Sequence, residues 1–137
     1  MQQDRITNPI DEGKVNFLYD FIIVTESLKY QCKLFHWMSK VNSEHQLLDY
    51  LYFDLIKYQD DVVEDYLGIY PGMLKAFNIK PTHTFESPKD LIKGTLDFIN
   101  NNLYPSIKQD KDFKGVISLT DEFIHKLHKY LYLLDLV

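Results

Sequence analysis

One stretch of the sequence carries an imidazole and three carboxylates at spacings that would place them along one edge of an α-helix. With 100° of rotation per residue and His45 as the zero direction, Asp49 lies at about 40°, Asp60 at about 60° and Glu64 at about 100°. Imidazole nitrogen and carboxylate oxygen are ligands that iron accepts together. The sequence therefore predicts metal chemistry at these four residues.

A single copy of this helix cannot close such a site. His45 and Asp60 would lie about 22 Å apart along the helix axis, whereas a ligand atom lies about 2 Å from its metal. Two copies paired antiparallel about a two-fold axis would remove the gap, because His45 and Asp49 of one chain would meet Asp60 and Glu64 of the other. The apolar seam between two such sites would consist of Tyr52, Phe53 and Ile56. A solvated polar edge without metal is the alternative interpretation.

The elements that must position these residues are helices. Apolar residues recur at three- and four-residue steps over residues 12–39, which predicts a first helix. After a break, Ser43 and Gln46 have the spacing of a capping box and open the second helix. That helix is predicted to run to Leu67 and to end with Gly68 in the left-handed conformation.

Two further helices complete the pattern. Residues 69–87 are predicted to form a connector with one short helix at 73–77. Ser87 caps the third helix, Pro88 opens it and Pro105 ends it. The fourth helix is expected to be capped by Asp110 or Asp112. The sequence thus predicts an all-α, four-helix bundle over residues 12–137, preceded by a flexible N-terminal arm of residues 1–11.

Composition excludes several functional classes. A chain of 137 residues with net charge −5 and no basic tail does not favour nucleic acid as a partner. Its apolar runs, such as Leu131–Leu134, are far shorter than the ~20 residues of a membrane-spanning helix. The single Cys32 cannot form an intrachain disulfide, and residues 1–5 lack a secretory signal pattern. We expect a cytoplasmic protein.

The same residues resemble a known family. His36-Trp37, His45-x-x-x-Asp49 and Asp60-x-x-x-Glu64 resemble the signature of the Dps mini-ferritins, the dodecameric branch of the ferritin-like superfamily. The ending Lys129–Leu134 is similar to the last helix of that family. A closer likeness, over residues 36–68, is to small uncharacterised ferritin-like proteins of tailed phages. The localisation then implied is the host cytoplasm or the virion.

The resemblance implies a ferroxidase that oxidises Fe(II) with peroxide or oxygen at intersubunit di-iron sites and stores the ferric product in a homo-oligomeric shell. Asp60 and Glu64 would be the carboxylate ligands, and Glu64 could bridge two ions. His45 would come from the partner chain and complete the oxidation site. The remaining implied metal ligands are His36, from the partner chain, and Asp49, for the second ion. Trp37 would intercept radicals beside the site.

Three features depart from the Dps pattern. The stretch between His36 and His45 is three residues shorter, Asp65 stands where the family usually has Arg, and a Lys-rich tail is missing. These departures keep an alternative open, in which the chain is a structural or interaction protein, such as a phage particle component, that has the bundle without ferroxidase activity.

Overall fold

The structure is a computed structural model that describes the backbone of residues 9–137 and the side chains of residue 14 and residues 16–137. Four helices dominate it, and no β-strand occurs in this part of the chain. The prediction of an all-helical chain with four main helices is therefore confirmed. The helices are α1 (Pro9–Met38), α2 (Asn42–Ile69), α3 (Pro88–Phe98, then a π-helical turn Ile99–Leu103 and a helical turn Tyr104–Ile107) and α4 (Lys114–Asp135).

The predicted N-terminal arm overlaps the first helix. Residues 1–8 of that arm lie outside the described residues, whereas Pro9 and the two residues after it belong to α1. Proline suits the first helical position because its φ angle is already helical and the missing N–H has no partner there in any helix. The helix accordingly begins three residues before the predicted start.

Both predicted ends of α2 are wrong. The residue preceding the helix is Val41, in an extended conformation and without a side-chain cap, so Ser43 lies inside the first turn and forms no capping box. Gly68 is helical, because the backbone N–H of Tyr70 still bonds to a carbonyl one turn earlier. The glycine with positive φ is Gly72, at 77°, in the turn that follows.

The start of α3 is as predicted, but its end differs. Ser87 accepts a hydrogen bond of 3.1 Å from the backbone N–H of Asp90, and Pro88 is the first helical residue. Pro105 does not end the helix. The turn before it widens to π geometry, with the N–H of Tyr104 bonded to Ile99 O. A proline inside a helix cannot donate the usual backbone hydrogen bond, and its ring clashes with a carbonyl group of the preceding turn. The wider π-helical turn accommodates the missing hydrogen bond and the ring.

The connector of residues 70–87 contains no helix, so the predicted short helix at 73–77 is wrong. The connector instead runs along α1 without regular secondary structure. The N–H of Lys75 donates to Tyr19 Oη at 2.9 Å, and the N–H groups of Thr84 and Phe85 donate to Gln31 Oε1 at 2.7 and 2.9 Å. Because side chains of α1 satisfy these backbone groups, the connector needs no helical hydrogen bonds of its own.

The helices form two antiparallel pairs that pack against each other. Helix α1 lies against α2 and α3, and α4 covers the other sides of α2 and α3. Helices α2 and α4 run antiparallel, since Tyr58 bonds to Thr120 at 2.8 Å while Asp54 bonds to Tyr130 at 2.5 Å. The connector returns the chain along α1, so α2 and α3 run in the same direction.

The core lies between the four helices and is made of large apolar side chains. Each fully buried Leu, Ile or Phe contributes roughly 1.5–3 kcal/mol relative to exposure. The apolar side chains of α4 that are buried are Val116, Phe123, Leu127, Tyr130 and Leu134. Within the described residues, no helix is long and apolar enough to cross a membrane.

Candidate metal centre

Two histidines meet where α1 ends and α2 begins. His36 is in the last turn of α1 and His45 in the first turn of α2, and their rings stack at 3.7 Å between centroids and 19° between planes. The Nδ1 of each ring lies 2.6 Å from the backbone oxygen of the other residue. A carbonyl oxygen can only accept, so both Nδ1 atoms carry the hydrogen. In the neutral rings this assignment leaves each Nε2 with its lone pair, which is the arrangement that orients histidine as a metal ligand.

The short turn between the helices produces this contact. Only Ser39, Lys40 and Val41 separate α1 from α2. Ser39 Oγ donates to Val41 O at 3.1 Å within the turn. The shortened stretch between the histidines, which departs from the Dps pattern, thus brings both imidazoles together in one chain.

Asp49 lies next to the histidine pair, one turn beyond His45. Its Oδ1 is 3.9 Å from His36 Nε2. Two ligand atoms that bind one ion at about 2.1 Å and a tetrahedral angle lie about 3.4 Å apart. A movement of about half an ångström would therefore let His36 and Asp49 share a cation.

Asp60 and Glu64 occupy the same helix about four turns further on. Both side chains are exposed, and neither has an ion pair or hydrogen bond with any described residue. No group of three or more His, Cys, Asp or Glu side chains that could hold a metal occurs among the described residues. The chain therefore brings together His36, His45 and Asp49 in one cluster and Asp60 and Glu64 in another, and it does not join the two clusters.

Large aromatic side chains accompany the clusters. Trp37 is 65% exposed and Phe53 is 58% exposed. Tyr52 and Ile56, predicted to belong to the apolar seam, are half-buried. Exposed aromatic groups beside a polar rim are characteristic of surfaces that bind another molecule.

The chemistry of the two clusters is complementary. The first offers two imidazole nitrogens and one carboxylate, and the second offers two carboxylates without a basic partner. No protein-family model, curated protein or solved structure matches this chain.

Lys33 is a residue of the first cluster that the sequence analysis did not place there. Its Nζ lies 3.4 Å from Asp49 Oδ1, 4.5 Å from the centre of the Tyr52 ring and 5.9 Å from that of Trp37. A sequence signal existed, because residues three apart on a helix are neighbours and Lys33 precedes His36 by three.

Other reactive side chains lie away from this edge. Glu122 and His125, which have the spacing of a ligand pair on α4, are both exposed. Cys32 is fully buried, its Sγ donates to Leu48 O at 3.2 Å, and burial raises its pKa to about 12. A thiol that is protonated and shielded in this way is not a nucleophile at neutral pH.

Proposed function

We propose that this chain is a ferritin-like protein that oxidises Fe(II) at sites shared between two subunits and retains the ferric product in an oligomeric shell. The observation that carries the proposal is the pair of stacked imidazoles, each with Nδ1 bonded to a carbonyl, beside Asp49. Both rings are held in the tautomer that binds metal, and since His36 is buried and His45 half-buried, the pair differs from a fully solvated polar edge.

The register of a two-fold pairing supports the proposal. The point on α2 midway between His45 and Glu64 is also midway between Asp49 and Asp60. One antiparallel register about that point therefore sets both nitrogen and oxygen ligands opposite the partner's carboxylates. The same point lies midway between Phe53 and Ile56, so these two apolar residues would pack on each other's copies at the centre of the seam.

The topology also supports it. The chain has one long connector, between its second and third helices, and the other two connections are short. Ferritin-like bundles are four-helix bundles with one long crossover connection. The topology supports only the order and direction of the helices. The argument for metal binding depends on the side chains along one edge of α2.

Iron is the substrate in this proposal. The histidine nitrogens and Asp49 of one subunit, with Asp60 and Glu64 of another, would hold two Fe(II) ions. Each ion gives up one electron, and one hydrogen peroxide takes both electrons with two protons and leaves as two water molecules. Carboxylate ligands stabilise Fe(III) over Fe(II) through their negative charge.

Addition of Fe(II) to the purified protein, with peroxide or air as oxidant, tests the proposal. We expect ferric absorbance to develop faster than in buffer and light scattering to report a particle of many subunits. The double variant Asp60→Ala, Glu64→Ala should lose the acceleration, whereas the control Glu122→Ala, an exposed carboxylate on α4, should keep it. Oxidation no faster than in buffer, or equal loss in the control, would overturn the proposal.

A second candidate is a structural or interaction bundle without ferroxidase activity. A groove of about 270 Å³ between the start of α2 and the end of α4 favours it, because exposed apolar side chains line the groove at Tyr50, Leu136 and Val137. Stable association with a larger particle, in protein that does not oxidise Fe(II), would support this function instead.

A further inference from the structure

A cavity of about 760 Å³ lies between α1 and α3, on a side of the bundle that the candidate metal centre does not use. Its walls come from α1, from α3 with its π-helical turn, and from Asp110 and Phe113 just before α4. None of the described residues that line it belongs to α2. Cavities that bind small molecules measure roughly 300–1,000 Å³, so this one has the size of a small-molecule site.

The walls of the cavity are mainly apolar and aromatic. Ile23 is 41% exposed, and Val24 and Phe98 are half-buried, so apolar surface faces the opening. The other apolar lining residues, which are buried, are Phe17, Phe21, Leu103, Ile107 and Phe113. Water against such a surface finds few hydrogen-bond partners, so an apolar group that displaces this water is bound favourably.

Polar side chains border the cavity on both helices. Asn16 and Asp20 belong to α1, Asn102 and Ser106 belong to α3, and all four residues are exposed. The two residues of each pair are four apart, so they lie on the same side of their helix. Apolar walls with a few polar groups that fix the orientation of a ligand are the usual composition of a small-molecule site.

The charged side chains leave an excess of negative charge at the cavity. Lys14 is already paired, because its Nζ lies 3.3 Å from Asp112 Oδ2 and 3.7 Å from Asp110 Oδ2. Asp20 is exposed and has no ion pair with any described residue. One lysine against three aspartates leaves two negative charges, which attract a positively charged ligand group and repel a negatively charged one.

We propose that this cavity binds an organic cation with an apolar body, of the class of arylalkyl amines. The apolar body lies against Ile23, Val24 and Phe98, and the ammonium group lies beside Asp20. The proposal does not depend on Fe(II) oxidation, because the cavity shares no residue with the candidate metal centre.

Three probes with the same apolar body test the charge preference: phenethylamine, phenethyl alcohol and phenylpropionate. Each is titrated at neutral pH into the protein in its native assembly, and binding is followed by NMR. We expect the amine to bind at least about tenfold more tightly than the acid, with the alcohol between them.

Substitution of the unpaired carboxylate tests its role. Asp20→Asn should weaken binding of the amine about fivefold, which is the effect of one charge at about 4 Å in water, and should leave binding of the alcohol unchanged. Asp97→Asn is the matched control, because Asp97 is an exposed carboxylate on α3 that does not line the cavity.

Filling the cavity tests the location. Ser106→Phe would place a ring at the opening from an exposed position on α3, and it should abolish binding of all three probes. If circular dichroism shows that this variant is unfolded, Asn16→Phe, at an exposed position on the opposite wall, decides the question with the same criterion.

Several results would overturn the proposal. These are no saturable binding of the amine, affinity for the acid equal to or greater than that for the amine, equal weakening by Asp20→Asn and Asp97→Asn, and unchanged binding in a folded cavity-filling variant. None of these results bears on Fe(II) oxidation, so the proposed function stands or fails by its own experiment.

Discussion

The amide of Gln31 is the main attachment of the connector to α1, and its removal gives a quantitative prediction. Gln31 is 1% exposed, and its Oε1 accepts from the backbone N–H groups of Thr84 and Phe85 at 2.7 and 2.9 Å. Substitution by methionine, which has a similar length and no strong acceptor, leaves both donors without a partner. Both hydrogen bonds are partly buried, so the cost of each unsatisfied donor should lie in the lower part of the range of about 1–3 kcal/mol, and we expect a total loss of about 2–4 kcal/mol.

Thermal unfolding and hydrogen exchange measure this loss. For a domain of this size, 1 kcal/mol shifts the melting temperature by about 3–5 °C, so Gln31→Met should melt about 10 °C lower. The amides of Thr84 and Phe85 should exchange faster. Ser27→Ala is the control, because Ser27 Oγ accepts from the exposed N–H of Thr82 at 3.2 Å and water can replace it. Melting of Gln31→Met within about 2 °C of this control would refute the argument.

Two further predictions concern glycines and acid stability. Gly94→Ala should lower the free energy of unfolding by about 1–2 kcal/mol, because the added methyl group would overlap the Phe85 ring. Gly68→Ala, with open space around it, should raise that free energy by about 0.5–1 kcal/mol. Changes of the same sign for both variants in chemical unfolding would contradict this prediction. Burial raises the pKa of Glu26, but the hydrogen bonds from Lys29 and Gln59 and the charge of Lys29 together outweigh it and hold that pKa below the ordinary value of 4.5. The stability that Glu26 contributes is therefore present above about pH 4.5 and lost as the pH falls further. The midpoint of urea unfolding should decline between about pH 5 and pH 3, and this decline should be smaller in Glu26→Gln. An unchanged decline in the variant would contradict the role given to Glu26.

The sequence predicts the start of a helix where a side chain caps backbone N–H groups only a few residues away. Ser87 accepts a hydrogen bond from a residue three positions later, as predicted. The expected cap of the fourth helix by Asp110 or Asp112 is wrong, because Asp110 accepts from the N–H of Asp112 at 3.0 Å and caps the 3₁₀ turn Lys111–Phe113, whereas α4 follows Phe113 without a side-chain cap. Such interactions depend only on neighbouring residues, so the sequence is sufficient to find them. The start of α2 is different, because the tight turn at Val41 sets the first helical residue and Ser43 arrives too late to cap it.

Interactions between distant residues account for the parts of the fold that the sequence did not reveal. The connector is not helical, and Tyr19 and Gln31, more than 50 residues earlier, bond to its backbone. The helical turn expected at 73–77 is the local alternative, in which hydrogen bonds would form within the segment itself. The local sequence does not decide between a helical turn and a segment bonded to α1, because the choice depends on which side chains of α1 face the connector.

The candidate site, like the fold, has features that the sequence predicts and features that it does not. Helical periodicity was sufficient to place Asp49 near His45 and to separate both from Asp60 and Glu64. The stacking of His36 on His45 follows from the length of the turn and from two backbone carbonyls, which periodicity does not describe. Lys33 contacts Asp49 and Tyr52 of α2, so its place in the cluster depends on the position of α2 relative to α1, which periodicity does not describe either.

The separation of the two clusters links metal binding to assembly under the proposed function. One chain provides the nitrogen ligands at His36 and His45 and a distant carboxylate pair at Asp60 and Glu64, so neither cluster alone satisfies a cation. A metal ion that binds the paired form more tightly than the single chain must stabilise the pairing by the same free energy. The unpaired carboxylates one turn apart repel each other without metal, which adds to this linkage. The edge of α2 is therefore expected to act as interface and metal site at once, and a change that weakens one function should weaken the other.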